Sequence, residues 1–311
     1  MTSFADRLSA ACRKFASPTV VGLDPRFEQL PSPLTQDVDA KNRAAVAAAY
    51  AKFGCEIIDV VAALVPAVKP QMAFYEQLGV EGMQALKQVV DHARRAGLLV
   101  ILDGKRNDIG TTAEAYADGL LGADSPWGGD ALTVSPYLGN DSLEPFVKTA
   151  AARDAGLFVL VKTSNPGSGQ FQDRKFAGDG GEATLYRLVA AEVERMSAAT
   201  VGACGYGLAG AVVGATYPQQ LTELRAAMPH TIFLVPGYGS QGGTAKDCAP
   251  AFDANGLGAV INNSRGVIFA HSRKPYADKY GAANWQRAVE AAVRDMNDEL
   301  RAETSVGKLV G

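Results

Sequence analysis

Residues 98–109 read Leu98-Leu99-Val100-Ile101-Leu102-Asp103-Gly104-Lys105-Arg106-Asn107-Asp108-Ile109. The first five are apolar and partly β-branched, which suits a short strand buried on both faces. Polar residues follow at once. Side chains along a strand alternate, so Asp103 and Lys105 are expected on one side. Asp108 falls in the next turn, ahead of a helical pattern that begins at Thr111. A lysine held between two carboxylates is expected to stay cationic, since each negative charge favours the protonated form. That makes Lys105 a potential proton donor and a poor free-amine nucleophile. The same stretch also reads as a strand-end salt bridge in a surface loop, and taken alone it does not separate the two.

Working outward, similar apolar runs occur at 19–23, 67–69, 131–134, 157–161, 211–213, 231–235 and 259–262. Helix-period segments lie between or after them, at 41–61, 80–96, 141–152, 184–197, 219–227 and 285–303. Alternation of this kind implies a parallel sheet. Eight repeats, counting 98–103, fit a closed (β/α)8 TIM barrel better than an open doubly wound sheet. The fold class is therefore α/β. No Pro/Ser-rich linker divides the 311 residues, so residues 1–311 are expected to form one barrel domain. An extra N-terminal helix over about 3–16 should cap its bottom.

Each run ends in polar or glycine-rich residues, among them Asp24-Pro25, Lys69-Pro70, Ser135-Pro136, Lys162-Thr163-Ser164 and Thr216. Barrels of this type build their sites from the C-terminal ends of the strands. Burying several charges there costs several kcal/mol each unless they are partnered. After the seventh run comes Pro236-Gly237-Tyr238-Gly239-Ser240-Gln241-Gly242-Gly243-Thr244, and after the eighth Asn263-Ser264-Arg265-Gly266. Glycines let backbone N–H groups approach an anion, and a following helix N-terminus would favour it. Arg265 adds a planar fork suited to phosphate oxygens.

What is scarce narrows the chemistry. None of the three histidines, His92, His230 and His271, sits at an expected strand end. A Ser-His-Asp triad or a histidine-rich metal site is not expected, and no metal is assigned. His271 is expected at the surface. The net charge is −3, with no basic stripe of the kind that marks nucleic-acid binding. There is no apolar run long enough to span a bilayer. Asp6, Arg7, Arg13 and Lys14 make the N-terminus unlike a signal peptide. The four cysteines are scattered without a C-x-x-C pair, which suits a reduced, cytoplasmic protein.

The element from Asp103 to Thr112, with its D-x-K-x-x-D-I-x-x-T pattern, resembles the signature of the orotidine 5′-phosphate decarboxylases. The resemblance continues in Val21-Gly22-Leu23-Asp24-Pro25, Val68-Lys69-Pro70, Thr163-Ser164-Asn165-Pro166-Gly167 and both glycine-rich loops. It implies decarboxylation of orotidine 5′-monophosphate to uridine 5′-monophosphate in de novo pyrimidine synthesis, without a cofactor. It also implies roles. Lys105 would protonate C6, Asp103 would sit beside the substrate carboxylate, and Lys69 would bridge Asp103 and the ribose. Asp24 would bind the ribose hydroxyls, Ser164 would read the pyrimidine edge and Pro236 would line the base pocket. Gln241 and Arg265 would grip the phosphate, with Gly239 and Ser264 from the same two loops. Asp108 and Thr112 would be offered to a neighbouring subunit, which implies a homodimer, and Ile109 between them is a further candidate for substrate binding. Apolar residues around 113–121 fit either a subunit interface or core packing.

The segment 164–182, which resembles the larger bacterial subgroup, is expected to form a partial lid or base-side wall, or else a disordered insertion. Its glycines 167, 169, 178, 180 and 181 allow motion. Two other readings remain. One is a sugar-phosphate decarboxylase or aldolase of a sister barrel, which would use magnesium and need an acid where Lys69 stands. The other is a non-catalytic nucleotide-phosphate binding protein on the same fold.

Overall fold

The computed structural model describes residues 2–178 and 181–310. Eight parallel strands close a barrel: β1 (Thr19–Leu23), β2 (Ala67–Pro70), β3 (Leu99–Arg106), β4 (Ala131–Val134), β5 (Gly156–Lys162), β6 (Ala209–Val213), β7 (Phe233–Val235) and β8 (Ala259–Asn263). Each pairs with its neighbours in sequence, and β8 returns to β1 through Thr19↔Ile261 and Val20↔Asn262. Among the helices are α1 (Phe4–Phe15), α2 (Arg43–Val61), α3 (Val80–Arg95), α4 (Gly110–Leu121), α5 (Asn140–Ala152), α6 (Leu185–Ala198), α7 (Pro218–Ala227), α8 (Ala245–Cys248), α9 (Arg265–Ile268) and α10 (Trp285–Glu303). The expected strands are all present.

Strand alternation sorts the apolar runs into two cores. Val20, Ala67, Ile101, Ala131, Phe158, Val212, Leu234 and Val260 face the barrel interior. Their neighbours Val21, Val68, Val100, Leu132, Val159, Phe233 and Ile261 face the helices. Both faces are dry, so the strands read as continuous apolar runs rather than as alternating ones. At the bottom, α1 inserts Phe4 and Leu8 into the inner cluster. Phe4 stands edge-on to Phe158, with ring centroids 6.0 Å apart. Gly156, where β5 begins, has no Cβ because one would lie 2.1 Å from the Phe4 ring. The N-terminal helix thus plugs the bottom, and the ligand-accessible end of the barrel is the other one.

Two expectations change. β3 continues past 103 to Arg106 through a register shift between Leu102 and Arg106. Lys105 adopts φ 45° there, a left-handed conformation that is costly outside glycine. Asp103 and Lys105 therefore meet through a bulge, not through the simple alternation of an extended strand. The segment after β5 is built from a 3-10 turn (Pro166–Ser168), one helical turn (Gly169–Gln172) and a hairpin pairing Lys175–Gly178 with Gly181–Thr184. Gly180, one of the glycines on which a mobile lid was expected to turn, lies outside the described residues. On α4, Ala113, Ala117, Leu120 and Leu121 are buried within the chain, which assigns that apolar face to core packing.

Candidate active site

The site is the continuation of the barrel interior by one more side-chain layer. Two residues beyond the inner-facing Ala67, Ile101, Ala131 and Val260 stand Lys69, Asp103, Thr133 and Asn262. Two beyond Phe158 and Leu234 stand Leu160 and Pro236, and two beyond Gly22 stands Asp24. These side chains surround a cavity of about 430 Å³ lined by Lys69, Asp103, Lys105, Thr133, Leu160, Thr163, Ser164, Asn165, Gln172, Val212, Leu234, Pro236, Gln241 and Asn262. That volume suits a ligand of nucleotide size.

Asp103 is the hub. Oδ1 accepts from Lys105 Nζ at 2.6 Å and from Thr133 Oγ1 at 2.9 Å. Oδ2 accepts from Gln71 Nε2 at 3.0 Å and from Lys69 Nζ. The Lys105 backbone N–H donates to Thr133 Oγ1 at 2.9 Å, which fixes the bulge. Burial alone would push the Asp103 carboxyl up, but the two ammonium groups and their hydrogen bonds outweigh it and hold it below the usual carboxylate range. Burial would lower Lys69 likewise, yet Asp103 and Asp24 together raise it.

This arrangement corrects the expected one. The cation lodged between two acids is Lys69, whose side chain is 6% exposed. Lys105 is 46% exposed and, among the described residues, its ammonium pairs with Asp103 alone. Asp108 Oδ1 instead accepts from the Ile109 backbone N–H at 2.9 Å. Asp108 is half-buried, Ile109 and Thr112 are exposed, and none of the three lines the cavity of its own chain.

Asp24 sits beside this network with Oδ1 buried and unpartnered. Burial raises its pKa, and Lys69 and the Ser264 hydroxyl offset this only in part. Ser264 comes this close because Gly22 has no side chain, as a Cβ there would lie 1.8 Å from Ser264 Oγ. Ser164 is admitted similarly by Gly214, whose Cβ would stand 2.8 Å from that of Ser164.

Gly237, Gly239 and Gly242 have φ values of 104°, 68° and 93°, which L side chains avoid. Gln241 reaches the cavity. Arg265 opens α9, half-buried, with no hydrogen-bond or ion-pair partner among the described residues. Gly239 instead lines an adjacent groove with Tyr238, Lys246 and Glu299. The expected helix dipole is not on offer at α8. That helix is one turn long, and the Asp247 carboxylate already accepts from the Thr244 backbone N–H and hydroxyl.

His92 pairs with Asp59 and His230 with Glu194, both away from the cavity. His271 is buried, not at the surface as expected, and desolvation lowers its pKa. The turn after α9 folds back beneath α10 and carries it inward. Among the described residues no group of three His, Cys, Asp or Glu side chains could hold a metal ion, and no helix is long and apolar enough to cross a membrane.

Sequence reading missed Gln71, Thr133, Gln172 and Asn262 as site residues. For Thr133 and Asn262 a signal was present, since each lies two residues past an inner-facing apolar position. Gln172 had none, because it arrives from the segment beyond β5.

The profile of the orotidine 5′-phosphate decarboxylase / HUMPS family matches residues 20–280. An orotidine 5′-phosphate decarboxylase from Rhodopirellula baltica is 58% identical over 97% of this chain and 100% of that protein. One from Caldicellulosiruptor bescii is 36% identical over 98% and 100%. A solved structure of Leishmania donovani OMP decarboxylase superposes with a TM-score of 0.73 at 35% identity, covering 97% of this chain and 98% of that one.

Proposed function

The chain belongs to the orotidine 5′-phosphate decarboxylase / HUMPS family, and on that premise we infer that Lys105 is the proton donor in its conversion of orotidine 5′-monophosphate to uridine 5′-monophosphate. The observation that carries this reading is the saturated Asp103 carboxylate, which aims the Lys105 ammonium into a nucleotide-sized cavity.

When the bond from C6 to the carboxylate breaks, its electron pair stays on C6 in an orbital the ring delocalises poorly. The protein must then lower the barrier by something on the order of 20 kcal/mol. A preoriented ammonium beside the developing charge stabilises it with little reorganisation. Once CO2 has left, the same ammonium gives its proton to C6 and later regains one from water. Asp103, held ionised by its donors, cannot supply that proton. Its place is beside the substrate carboxylate, where it keeps Lys105 aimed.

Asp24, with its unpartnered oxygen, and Lys69 bind the ribose hydroxyls. Ser164 meets the pyrimidine edge and Pro236 lies against the base. Gln241 and Arg265, with Gly239 and Ser264, hold the phosphate. In the sister magnesium-dependent reading a cation would sit among the strand-end acids. Here the Lys69 ammonium stands between Asp24 and Asp103, which disfavours it.

The working unit is a homodimer, with Asp108 and Thr112 completing the neighbour's site and Ile109 beside them as a further substrate contact. Two observations support it: Asp108 makes no bond to Lys105 in its own chain, and the apolar Ile109, ahead of α4, and Tyr116, on it, are both exposed. The expected compartment is the cytoplasm.

Loss of the ultraviolet absorbance of orotidine 5′-monophosphate tests the reaction, and a wild type without turnover would sink it. Mixing Asp108→Asn with Lys105→Ala subunits should restore activity, because one site of each mixed dimer regains both groups. Inactive mixtures would refute the shared site.

A further inference from the structure

Lys162 ends β5 with its side chain fully buried, 0% exposed, and the reaction above makes no use of it. Its ammonium donates to Asp173 Oδ1 at 2.6 Å and to Ser168 Oγ at 3.4 Å, and it lies 4.5 Å from the ring centre of Tyr217. Ser168 and Asp173 both belong to the segment that follows β5. A buried ammonium without its carboxylate is costly, so the segment cannot lift without stranding Lys162. Gly169 contributes to the fit, because a Cβ there would lie 2.8 Å from Asp173 Oδ2.

The residue next to Asp173 is Gln172, and it clasps the chain just past Lys162. Its Oε1 accepts from the Thr163 backbone N–H at 3.0 Å, and its Nε2 donates to Thr163 Oγ1 at 2.8 Å. Thr163 Oγ1 in turn donates to Asn165 Oδ1 at 2.7 Å. Thr163, Ser164, Asn165 and Gln172 together form one wall of the cavity.

We propose that Lys162 and Asp173 are positioning residues that lock the clasp between Gln172 and Thr163, making this wall a preformed seat for the pyrimidine. The proposal rests on the reading that Ser164 faces the pyrimidine edge. On this view the segment nearest the barrel is a fixed wall and not a moving lid.

The test uses full-length Asp173→Asn, the double variant Lys162→Met/Asp173→Ala, and Gln172→Ala. For each, kcat and KM for orotidine 5′-monophosphate, the Kd of uridine 5′-monophosphate by calorimetry, and Tm are measured. Asp173→Asn leaves the ammonium stranded and lowers Tm. The double variant removes the buried ammonium together with its half-exposed carboxylate and recovers much of it, since no charge is then left unpaired in the interior. Both should show KM and Kd raised about tenfold with kcat within about threefold, the signature of lost seating rather than lost chemistry. Wild-type KM and Kd in the double variant would mean the pair only neutralises itself, and would overturn the proposal. If that variant does not fold, Gln172→Ala decides: it opens the clasp without touching the buried charge, and unchanged KM and Kd there would overturn the proposal as well. A wild type that binds uridine 5′-monophosphate without turning over substrate would sink the reaction, leaving Kd to decide the wall.

Discussion

Strands β2 and β3 bring Lys69, Asp103 and Lys105 to the cavity, with Asp24 beside them at the end of β1, whereas β5 to β7 bring Leu160, Val212, Leu234 and Pro236. On the charged side the hub is already satisfied, with four donors on Asp103 supplied by Lys69, Gln71, Lys105 and Thr133. On the other side an apolar floor adjoins groups without partners, among them Thr216 Oγ1 and the Arg265 guanidinium. The difference separates two tasks. Groups that stabilise a transition state work best when fixed beforehand, and a low-polarity surface opposite strengthens their field. Groups that capture a substrate can wait for it.

The sharpest way to break this contrast is Lys105→Ala. Turnover should fall by roughly 10⁴-fold or more, from loss of both electrostatic stabilisation and proton transfer. Tm should move little, because Lys105 is half exposed. Single-turnover kinetics beside a melting curve check both, and near-normal activity would refute the mechanism.

Asp103→Asn should damage fold and chemistry together. It leaves the Lys69 ammonium short of its nearest anion, at a cost of about 3–5 kcal/mol. The folded pKa of Asp103 lies below its ordinary 3.8, so its stabilisation is complete above that value. It is lost only as pH falls from there through the folded pKa. The Tm gap between wild type and variant should therefore stay constant from pH 7 to about pH 5 and close in stronger acid.

On the binding side, Arg265→Ala should lower kcat/KM by roughly 10²-fold, matching about 2–3 kcal/mol for a charge-assisted phosphate contact. Tm should stay unchanged, since no partner among the described residues is lost. A large drop in Tm would place Arg265 in the framework instead.

The smallest effect tests the exception on the charged side. The folded pKa of Asp24 is raised, so its ionised form costs stability at neutral pH. Asp24→Asn should hold or raise Tm while weakening uridine 5′-monophosphate binding about tenfold. A lowered Tm with intact binding would make Asp24 a structural partner of Lys69.

Much of this was readable in advance. The run 98–102 followed by Asp103 and Lys105 marked a strand and its functional end, and seven similar runs gave the barrel. The order of motifs at the strand ends carried the family. Less legible were the partners inside the site. Lys105 looked flanked by Asp103 and Asp108 because those residues are near in sequence, but the Asp108 carboxylate is taken by the Ile109 backbone N–H. Lys69, far off in sequence, takes the place between two acids because β2 lies between β1 and β3. Thr133 and Asn262 could be found only by counting on from inner-facing positions, which requires knowing which face is inside.

By itself the sequence determined the elements, their alternation and the chemical character of each strand end. These follow from local periodicity and from the cost of burying polar groups without partners. Tertiary structure alone decided which charges touch, how Gly22 and Gly214 admit Ser264 and Ser164, and that Lys162 at the end of β5 pairs with Asp173 in the segment that follows it. Closing the barrel brings together side chains remote along the chain, and local pattern carries no record of those distances.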